Sequence, residues 1–185
     1  MDGVNDPRHV ATHEAGHAVI GRVLTLLCGG ATIVPDFKAG EAGHAITDDP
    51  WECRSEWDRR GKVRHDNAVW HGRIIAFMAG AEAEQLLLGA TLGGDGDDRY
   101  QIELMARELD CDPDEWIRLE ARLRAMTRML IRRHRNRISG VADALIAKGK
   151  LTGRQIDKLA GRSINDLGPP LSGLERALRY QRRGH

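Results

Sequence analysis

The sequence predicts a mainly α domain with one small β-sheet or hairpin. Three observations favour this fold class: long segments with apolar residues at helical spacing, repeated helix-start signals, and only two short segments with strand character. The chain has 185 residues, of which 41% are hydrophobic and 30% charged, a composition typical of one soluble globular domain. The formal net charge of +1 favours neither a dedicated nucleic-acid binder nor a membrane-surface protein.

The first half of the chain predicts a helix, a pair of strands and a second helix. The first helix starts at Asp6-Pro7, because proline at the first helical position loses no hydrogen bond, and it ends near Gly29. The strands are expected at residues 31–35 and 43–47, separated by a loop that contains glycine. A further helical region is expected to start near Glu56 and to end at Gly89.

The second half of the chain predicts mainly helix. A glycine-rich turn at residues 89–98 leads into a helix that reaches residue 109. Residues 112–115, with the sequence DPDE, repeat the helix-start signal of an aspartate cap followed by proline. The helix that follows is expected to extend to about residue 148, with a break or bend near residues 139–140.

A short last helix completes the predicted domain. Thr152 and Gln155 have the spacing of a capping box, and Gly161 is expected to end the helix. We interpret residues 1–162 as one domain and residues 163–185 as a C-terminal tail.

Cysteine usage and the hydropathy pattern predict a cytoplasmic protein. The three cysteines, Cys28, Cys53 and Cys111, include no CxxC pair, which favours free thiols in a reducing compartment over a disulfide scaffold. No segment approaches the roughly 18 apolar residues that a membrane span needs. The first ten residues are acidic and polar and do not resemble a signal peptide. We therefore expect neither a membrane anchor nor a membrane partner.

The segment ATHEAGHAVIG places His13 and His17 one helical turn apart, with Glu14 beside the first histidine. Helical residues at i and i+4 share one face, so both imidazoles can reach one ion, and zinc accepts such ligands. Glu14 then lies beside the ion, where it can take a proton from water. This HExxH arrangement predicts His13 and His17 as metal ligands and Glu14 as the catalytic base of a metal-dependent hydrolase. The alternative is two histidines on the surface of an ordinary helix.

Two histidines do not complete a catalytic zinc site, which usually has three protein ligands and one open position. The best downstream candidates are Asp95, Asp97 and Asp98, which lie beside a predicted helix start where the helix dipole favours carboxylates. Adjacent residues of a helix point about 100° apart, so Asp97 and Asp98 are not expected to face one ion together. The alternative is an acidic, glycine-rich loop that binds nothing.

An arginine-rich segment follows in the long helix. Residues 118–137 contain eight arginines and one acidic residue, Glu120. Such a helix can bind nucleic acid through phosphates, but few aromatic residues accompany it and the whole chain is nearly neutral. We interpret it as a solvated face that pairs with acidic neighbours such as residues 108–115, and we expect no nucleic-acid partner.

Several of these segments, taken in order, resemble the peptidase domain of the FtsH-type proteases, which are membrane-anchored AAA zinc metalloproteases. They correspond to the zinc helix of the family, its strand pair, its glycine-rich helix, its third-ligand segment and its C-terminal helical hairpin. Together they span about residues 8–162. The segments are ATHEAGHAVIG, ATIVPDFKAGEAGHAIT, MAGAEAEQLLLGA, GGDGDD followed by Ala106, and ISGVADALIAKGKLTGRQIDKLA.

The resemblance implies a zincin-like helical metallopeptidase domain with one Zn²⁺ per chain. Because the family has an alanine eight residues after its ligand aspartate, the spacing to Ala106 identifies Asp98 as the third ligand. The resemblance also implies a supporting role for Glu84 beside the site. The chain departs from the family in the neighbours of Asp98, which read GDGDD instead of a Gly-Ala-Ser-Asn-Asp type of sequence. It also contains no GxxxxGK[ST] phosphate loop, so we expect no ATP.

We therefore expect an ATP-independent zinc metalloendopeptidase that hydrolyses peptide bonds in unfolded or flexible polypeptides. One of the strands, near residues 31–35 or 43–47, is expected to line the cleft and to take the substrate as an added strand. The alternative is a non-catalytic metallopeptidase-like module that binds a protein, or a nucleic acid through its arginine-rich helix. Bound zinc together with cleavage that depends on Glu14 distinguishes the two hypotheses. A homo-oligomer is left open.

Overall fold

The fold is mainly helical, with one three-stranded antiparallel sheet, as the sequence predicts. The computed structural model describes residues 6–24, 28–35, 42–47, 51, 55 and 67–160. In chain order the elements are α1 (Pro7–Val23), β1 (Cys28–Thr32), β2 (His44–Thr47), α2 (Ala68–Leu87), α3 (Gly96–Arg107), α4 (Pro113–Lys148), β3 (Lys150–Thr152) and α5 (Gly153–Leu159).

Helix α1 starts where the sequence predicts but ends earlier. The Asp6 carboxylate accepts a hydrogen bond of 2.8 Å from the backbone N–H of Arg8, and Pro7 occupies the first turn. The last helical residue is Val23, so the predicted end near Gly29 is wrong. The Cys-Gly-Gly segment that was expected to stop the helix is instead the first part of β1.

Strand β1 is Cys28–Thr32, so it starts and ends three residues earlier than the predicted range of 31–35. Its glycines allow the neighbouring strands to approach closely. Gly30 has φ +149°, and a Cβ at this position would lie 2.6 Å from the carbonyl oxygen of Leu151 in β3. The pairing with β2 is irregular between Cys28 and Gly30, as in a β-bulge. The predicted strand at residues 43–47 corresponds to β2 and is confirmed.

The sheet has the order β2-β1-β3, so β1 is paired on both sides. Ala31 of β1 lies opposite Ala45 of β2 and Leu151 of β3, and these side chains pack into the core. The alternate positions of β2, His44 and Ile46, face away from the core, and Ile46 is 53% exposed. Strand β3 was not predicted, because three residues are too short to give a recognisable alternation.

Helices α1, α2 and α4 pack against one another, and α1 also contacts the sheet. Their shared core contains small side chains on α1 and branched ones on α2 and α4. Helix α2 agrees with the second half of the predicted helix, whereas residues 56–66 lie outside the described residues. The largest fully buried side chains of these three helices are Val19, Ile20, Val69, Ile74, Ile75, Leu123, Ile131, Ile138 and Leu145.

Helix α4 is continuous, so a break near residues 139–140 is excluded, whereas the alternative of a bend there stays a prediction. Ile138, Val141 and Leu145 are all fully buried and continue the apolar stripe of the helix past Gly140. Packing of this stripe against α1 and α2 outweighs the weak helix propensity of one glycine. The helix therefore continues without interruption from Pro113 to Lys148.

The predicted helix starts at Asp112 and Thr152 are both present, and each forms a capping box. At the start of α4, the Asp112 carboxylate accepts a 2.8 Å hydrogen bond from the Glu115 N–H, and the Glu115 carboxylate accepts one of 3.2 Å from the Asp112 N–H. Thr152 and Gln155 form the same arrangement at the start of α5. The predicted C-terminal tail lies outside the described residues. Within the described segments, no helix combines the length and the apolar character needed to cross a bilayer.

We predict that Gly140→Ala stabilises the protein. The helix is continuous at this position, and a Cβ there would have no neighbouring atom within 4 Å. Replacing a mid-helix glycine should therefore raise the free energy of unfolding by about 0.5–1 kcal/mol, measured by urea denaturation. The matched control is Gly149→Ala, which should destabilise the protein because Gly149 has φ +72°. A loss of stability in Gly140→Ala would contradict a continuous helix.

Candidate metal centre

Helix α1 places His13 and His17 side by side on the face that meets α2. Their ring centroids are 4.6 Å apart, and both side chains are largely buried. The small residues Ala15 and Gly16 on the same turn let α2 approach closely, because a Cβ on Gly16 would lie 2.5 Å from the carbonyl oxygen of Ala79. The two imidazoles are therefore held at the interface of the two helices.

Asp98 reaches this pair from the first turn of α3. Its Oδ2 atom lies 3.0 Å from His13 Nε2 and 3.2 Å from His17 Nε2. The three potential ligand atoms lie within 4.8 Å of one another. A carboxylate in the first helical turn is also stabilised by the positive end of the helix dipole.

The other two aspartates of this segment do not join the group. The Asp95 carboxylate accepts a hydrogen bond of 2.8 Å from the guanidinium of Arg99, and Asp97 is exposed. The structure therefore brings Asp98, the residue selected by the family spacing, to the two histidines. Its role as a zinc ligand stays a prediction.

The far nitrogen of each ring is fixed by an oxygen acceptor. His13 Nδ1 donates to Glu84 Oε1 at 2.7 Å, and His17 Nδ1 donates to the backbone oxygen of Ala76 at 2.7 Å. A carboxylate and a carbonyl oxygen only accept, so both Nδ1 atoms carry hydrogen. Each Nε2 atom is consequently directed at Asp98, an orientation that metal-ligating histidines share.

Glu84 connects the histidines with the loop that leads to α3. Its second oxygen, Oε2, accepts hydrogen bonds from His9 Nδ1 at 2.9 Å and from the Leu92 N–H at 3.2 Å. His9 was not among the predicted site residues. Its spacing could have indicated this role, because His9, His13 and His17 follow one another at intervals of four residues on one helix face.

Gly80 of α2, which was not among the predicted site residues, lies where the two Nε2 atoms approach each other. A Cβ on Gly80 would lie 2.5 Å from both His13 Nε2 and His17 Nε2. Any side chain at this position would occupy the volume between the histidines. The absence of a side chain leaves room for an ion of small radius.

Glu14 is buried beside the group but is not one of its three ligand atoms. It is 5% exposed and packs under the start of β2, where a Cβ on Gly43 would lie 3.2 Å from Glu14 Cγ. Burial raises the pKa of the Glu14 carboxyl, and the nearby His17 and His13 oppose this effect without cancelling it.

The charges of the group are strongly coupled. Burial alone lowers the pKa of His13, but hydrogen bonds to Asp98 and Glu84 outweigh burial and raise it to about 10. His17 behaves in the same way: burial lowers its pKa, and the attraction of Asp98 raises it above the usual value. Burial disfavours the charged form of Asp98, yet the two histidines hold the pKa of its carboxyl well below the usual range. The arrangement thus concentrates positive charge around one carboxylate.

The donor set fits zinc. Two imidazole nitrogens and one carboxylate oxygen form a common ligand set of catalytic zinc. A Cβ on Gly80 would lie 2.5 Å from both Nε2 atoms, so a methyl group at this position would compete with an ion bound by them. A divalent cation there would supply the positive charge that protons on the two imidazoles supply in its absence.

Comparison with known proteins assigns no family to the chain. No protein-family model matches it, and a search of curated proteins gives no match. The resemblance to FtsH-type peptidases therefore stays an expectation that depends on the residues quoted above.

We predict that Gly80→Ala abolishes zinc binding while the protein remains folded. The added methyl group would occupy the space between the two Nε2 atoms. The matched control is Gly72→Ala on the same helix, where a Cβ would meet no atom within 4 Å. Zinc content by elemental analysis should fall from about one per chain to near zero in Gly80→Ala only. Equal zinc content in both variants would refute the proposed position of the ion.

A second prediction concerns the third ligand. Asp98→Asn should weaken zinc affinity by at least about tenfold, because it replaces a charged ligand by a neutral amide. Asp97→Asn makes the same change at an exposed residue, and Asp95→Asn makes it at a residue paired with Arg99. Both variants should bind zinc like the unmodified protein. Affinities can be measured by competition with a chromophoric chelator. If Asp97→Asn loses zinc and Asp98→Asn retains it, the ligand assignment is wrong.

Proposed function

We propose that this chain is an ATP-independent zinc metallopeptidase that cleaves unfolded or flexible polypeptides. The observation that supports this proposal best is the convergence of His13, His17 and Asp98 to within 4.8 Å, with Glu14 buried beside them. His13, His17 and Asp98 would hold the zinc ion. When bound, zinc acts as a Lewis acid that makes a water molecule more acidic and polarises a peptide carbonyl.

The chain's own residues have distinct roles in the proposed reaction. Glu14 accepts a proton from the attacking water and returns it to the leaving amine. Glu84 and the backbone oxygen of Ala76 hold the two imidazoles in position through their Nδ1 atoms. Burial of Glu14 excludes bulk water from its carboxylate, which keeps the proton between the base and the leaving group.

The sheet supports a polypeptide as the substrate. Of the two strands expected to line the cleft, β1 is paired on both sides, whereas β2 has a strand partner on one side only among the described residues. Gly43, the residue before β2, also lies close to the residue proposed as the base, since a Cβ on Gly43 would be 3.2 Å from Glu14 Cγ. An extended peptide that pairs with the outer edge of β2 would therefore pass beside Glu14. Such pairing requires an unfolded or flexible segment, since a folded protein has few free backbone groups.

We predict that Glu14→Gln retains zinc and loses peptidase activity. Because Glu14 is not among the ligand atoms, its neutral isostere should leave zinc content unchanged. Loss of the proton acceptor should lower the rate of cleavage of an unfolded fluorescent polypeptide by about 100-fold or more. The control is Glu103→Gln, an exposed glutamate of α3, which should cleave at the original rate.

The outcomes separate the two hypotheses of function. Full activity in Glu14→Gln would place the base elsewhere. Tight zinc binding without cleavage of any unfolded polypeptide in the unmodified protein would favour the non-catalytic binding module instead.

A further inference from the structure

Helix α4 carries a set of exposed arginines that the proposed peptidase function does not use. Between residues 118 and 137 the helix contains eight arginines and no lysine. Seven of them are exposed, and the six that lack a carboxylate partner among the described residues form what we term the basic face: Arg118, Arg122, Arg132, Arg133, Arg135 and Arg137.

The remaining two arginines have carboxylate partners. Arg124 pairs with Glu82 at 2.9 Å and with Glu120 at 2.8 Å, and Arg128 pairs with Glu82 at 2.7 Å. In the part of the chain that the structure describes, the six arginines of the basic face make no ion pair. The sequence-based expectation that residues 108–115 would neutralise them is therefore not met. Carboxylates of the described residues therefore do not neutralise the positive charge of the basic face.

The local potential of the basic face is positive. Burial lowers the pKa of His134, and the neighbouring Arg137 and Arg133 lower it further. Arg133 and Arg137 also stand at i and i+4, a spacing at which like charges destabilise an isolated helix. The rest of the helix tolerates this repulsion, which a partner of opposite charge would relieve.

The arginines near the end of the basic face form two rows. With 100° per residue, Arg132 and Arg135 continue the line of Arg128 along one flank of the helix. Arg122, Arg133 and Arg137 lie along the other flank. Two exposed residues without charge, Ala125 and Asn136, lie between the rows. Over residues 122–137 the helix thus presents a narrow uncharged ridge with guanidinium groups on both sides, and Arg118 lies on the same line one turn before it.

We propose that the basic face binds duplex DNA through the phosphates of both strands, independently of base sequence. The major groove of B-DNA is about 12 Å wide and admits an α-helix, so each row of arginines would face one strand. Guanidinium groups bind phosphate oxygens through two parallel hydrogen bonds, which a lysine ammonium does not do. The all-arginine composition and the two rows therefore fit a double-stranded polyanion.

Other anionic partners fit this face less well. A membrane-binding helix needs an exposed apolar face, whereas the apolar face of α4 is buried against α1 and α2 through residues such as Leu123 and Ile131. An extended acidic peptide presents one line of carboxylates and would engage one row. The basic face also differs from the metal centre in location, since Glu82 of α2 faces α4 whereas Glu84 faces the histidines.

The test measures binding of a labelled 20-base-pair DNA duplex to the full chain by fluorescence anisotropy. At physiological salt the dissociation constant should be about 1–100 µM, as for sequence-independent binding, and it should be lower at low salt. The log of affinity should fall with the log of salt concentration, with a slope of about −0.9 for each phosphate contacted. Replacing Arg132, Arg133, Arg135 and Arg137 by Gln should weaken binding at least about tenfold and, if each arginine contacts one phosphate, flatten this slope by about 3.6. Glutamine keeps the helix propensity of arginine, which circular dichroism checks.

The matched control removes four positive charges elsewhere. Arg107, Lys150, Arg154 and Lys158 are exposed and lie outside α4, and their replacement by Gln should change the affinity less than about threefold. Equal losses in the two quadruple variants, or no binding of the unmodified protein at low salt, would overturn the proposal. Competition by polyglutamate as effective per charge as by duplex DNA would identify an acidic polypeptide as the partner and would also overturn it.

Discussion

The close approach of α1 and α2 is the constraint on which the candidate site depends. Two glycines make it sterically allowed: a Cβ on Gly16 would lie 2.5 Å from the Ala79 oxygen, and one on Gly80 would lie 2.5 Å from both histidine Nε2 atoms. At this separation the Ala76 oxygen can accept from His17 Nδ1, and Glu84 can accept from His13 Nδ1. Close helix packing therefore provides both the space for an ion and the groups that orient its ligands.

Electrostatic attraction explains which residue joins the two histidines. Two buried imidazoles attract a carboxylate, and Asp98 in the first turn of α3 supplies it. Glu84 also contacts the loop before α3, because its carboxylate accepts a hydrogen bond from the Leu92 N–H. One glutamate thus connects the first histidine with the segment that delivers the aspartate. The same helix uses its other face, at Glu82, to neutralise arginines of α4.

Local signals in the sequence predicted those features that depend on local chemistry. The Asp6 cap and the capping boxes of α4 and α5 follow from neighbouring residues alone and were confirmed. The start of β1 at Cys28 and the continuity of α4 past Gly140 depend on contacts with distant segments, so local propensity gave the wrong answer. At the site, helical spacing brought the two histidines together, whereas the role of Gly80 depends on how α2 crosses α1 and has no local signal.

X-ray absorption spectroscopy of the zinc-loaded protein would show whether His13, His17 and Asp98 bind the ion, because it counts and identifies the atoms around it. We expect two imidazole nitrogens at about 2.0–2.1 Å, with oxygen atoms completing the coordination and no sulfur. A sulfur neighbour at about 2.3 Å, which would implicate a cysteine, or fewer than two imidazoles would show that the proposed ligand set is wrong.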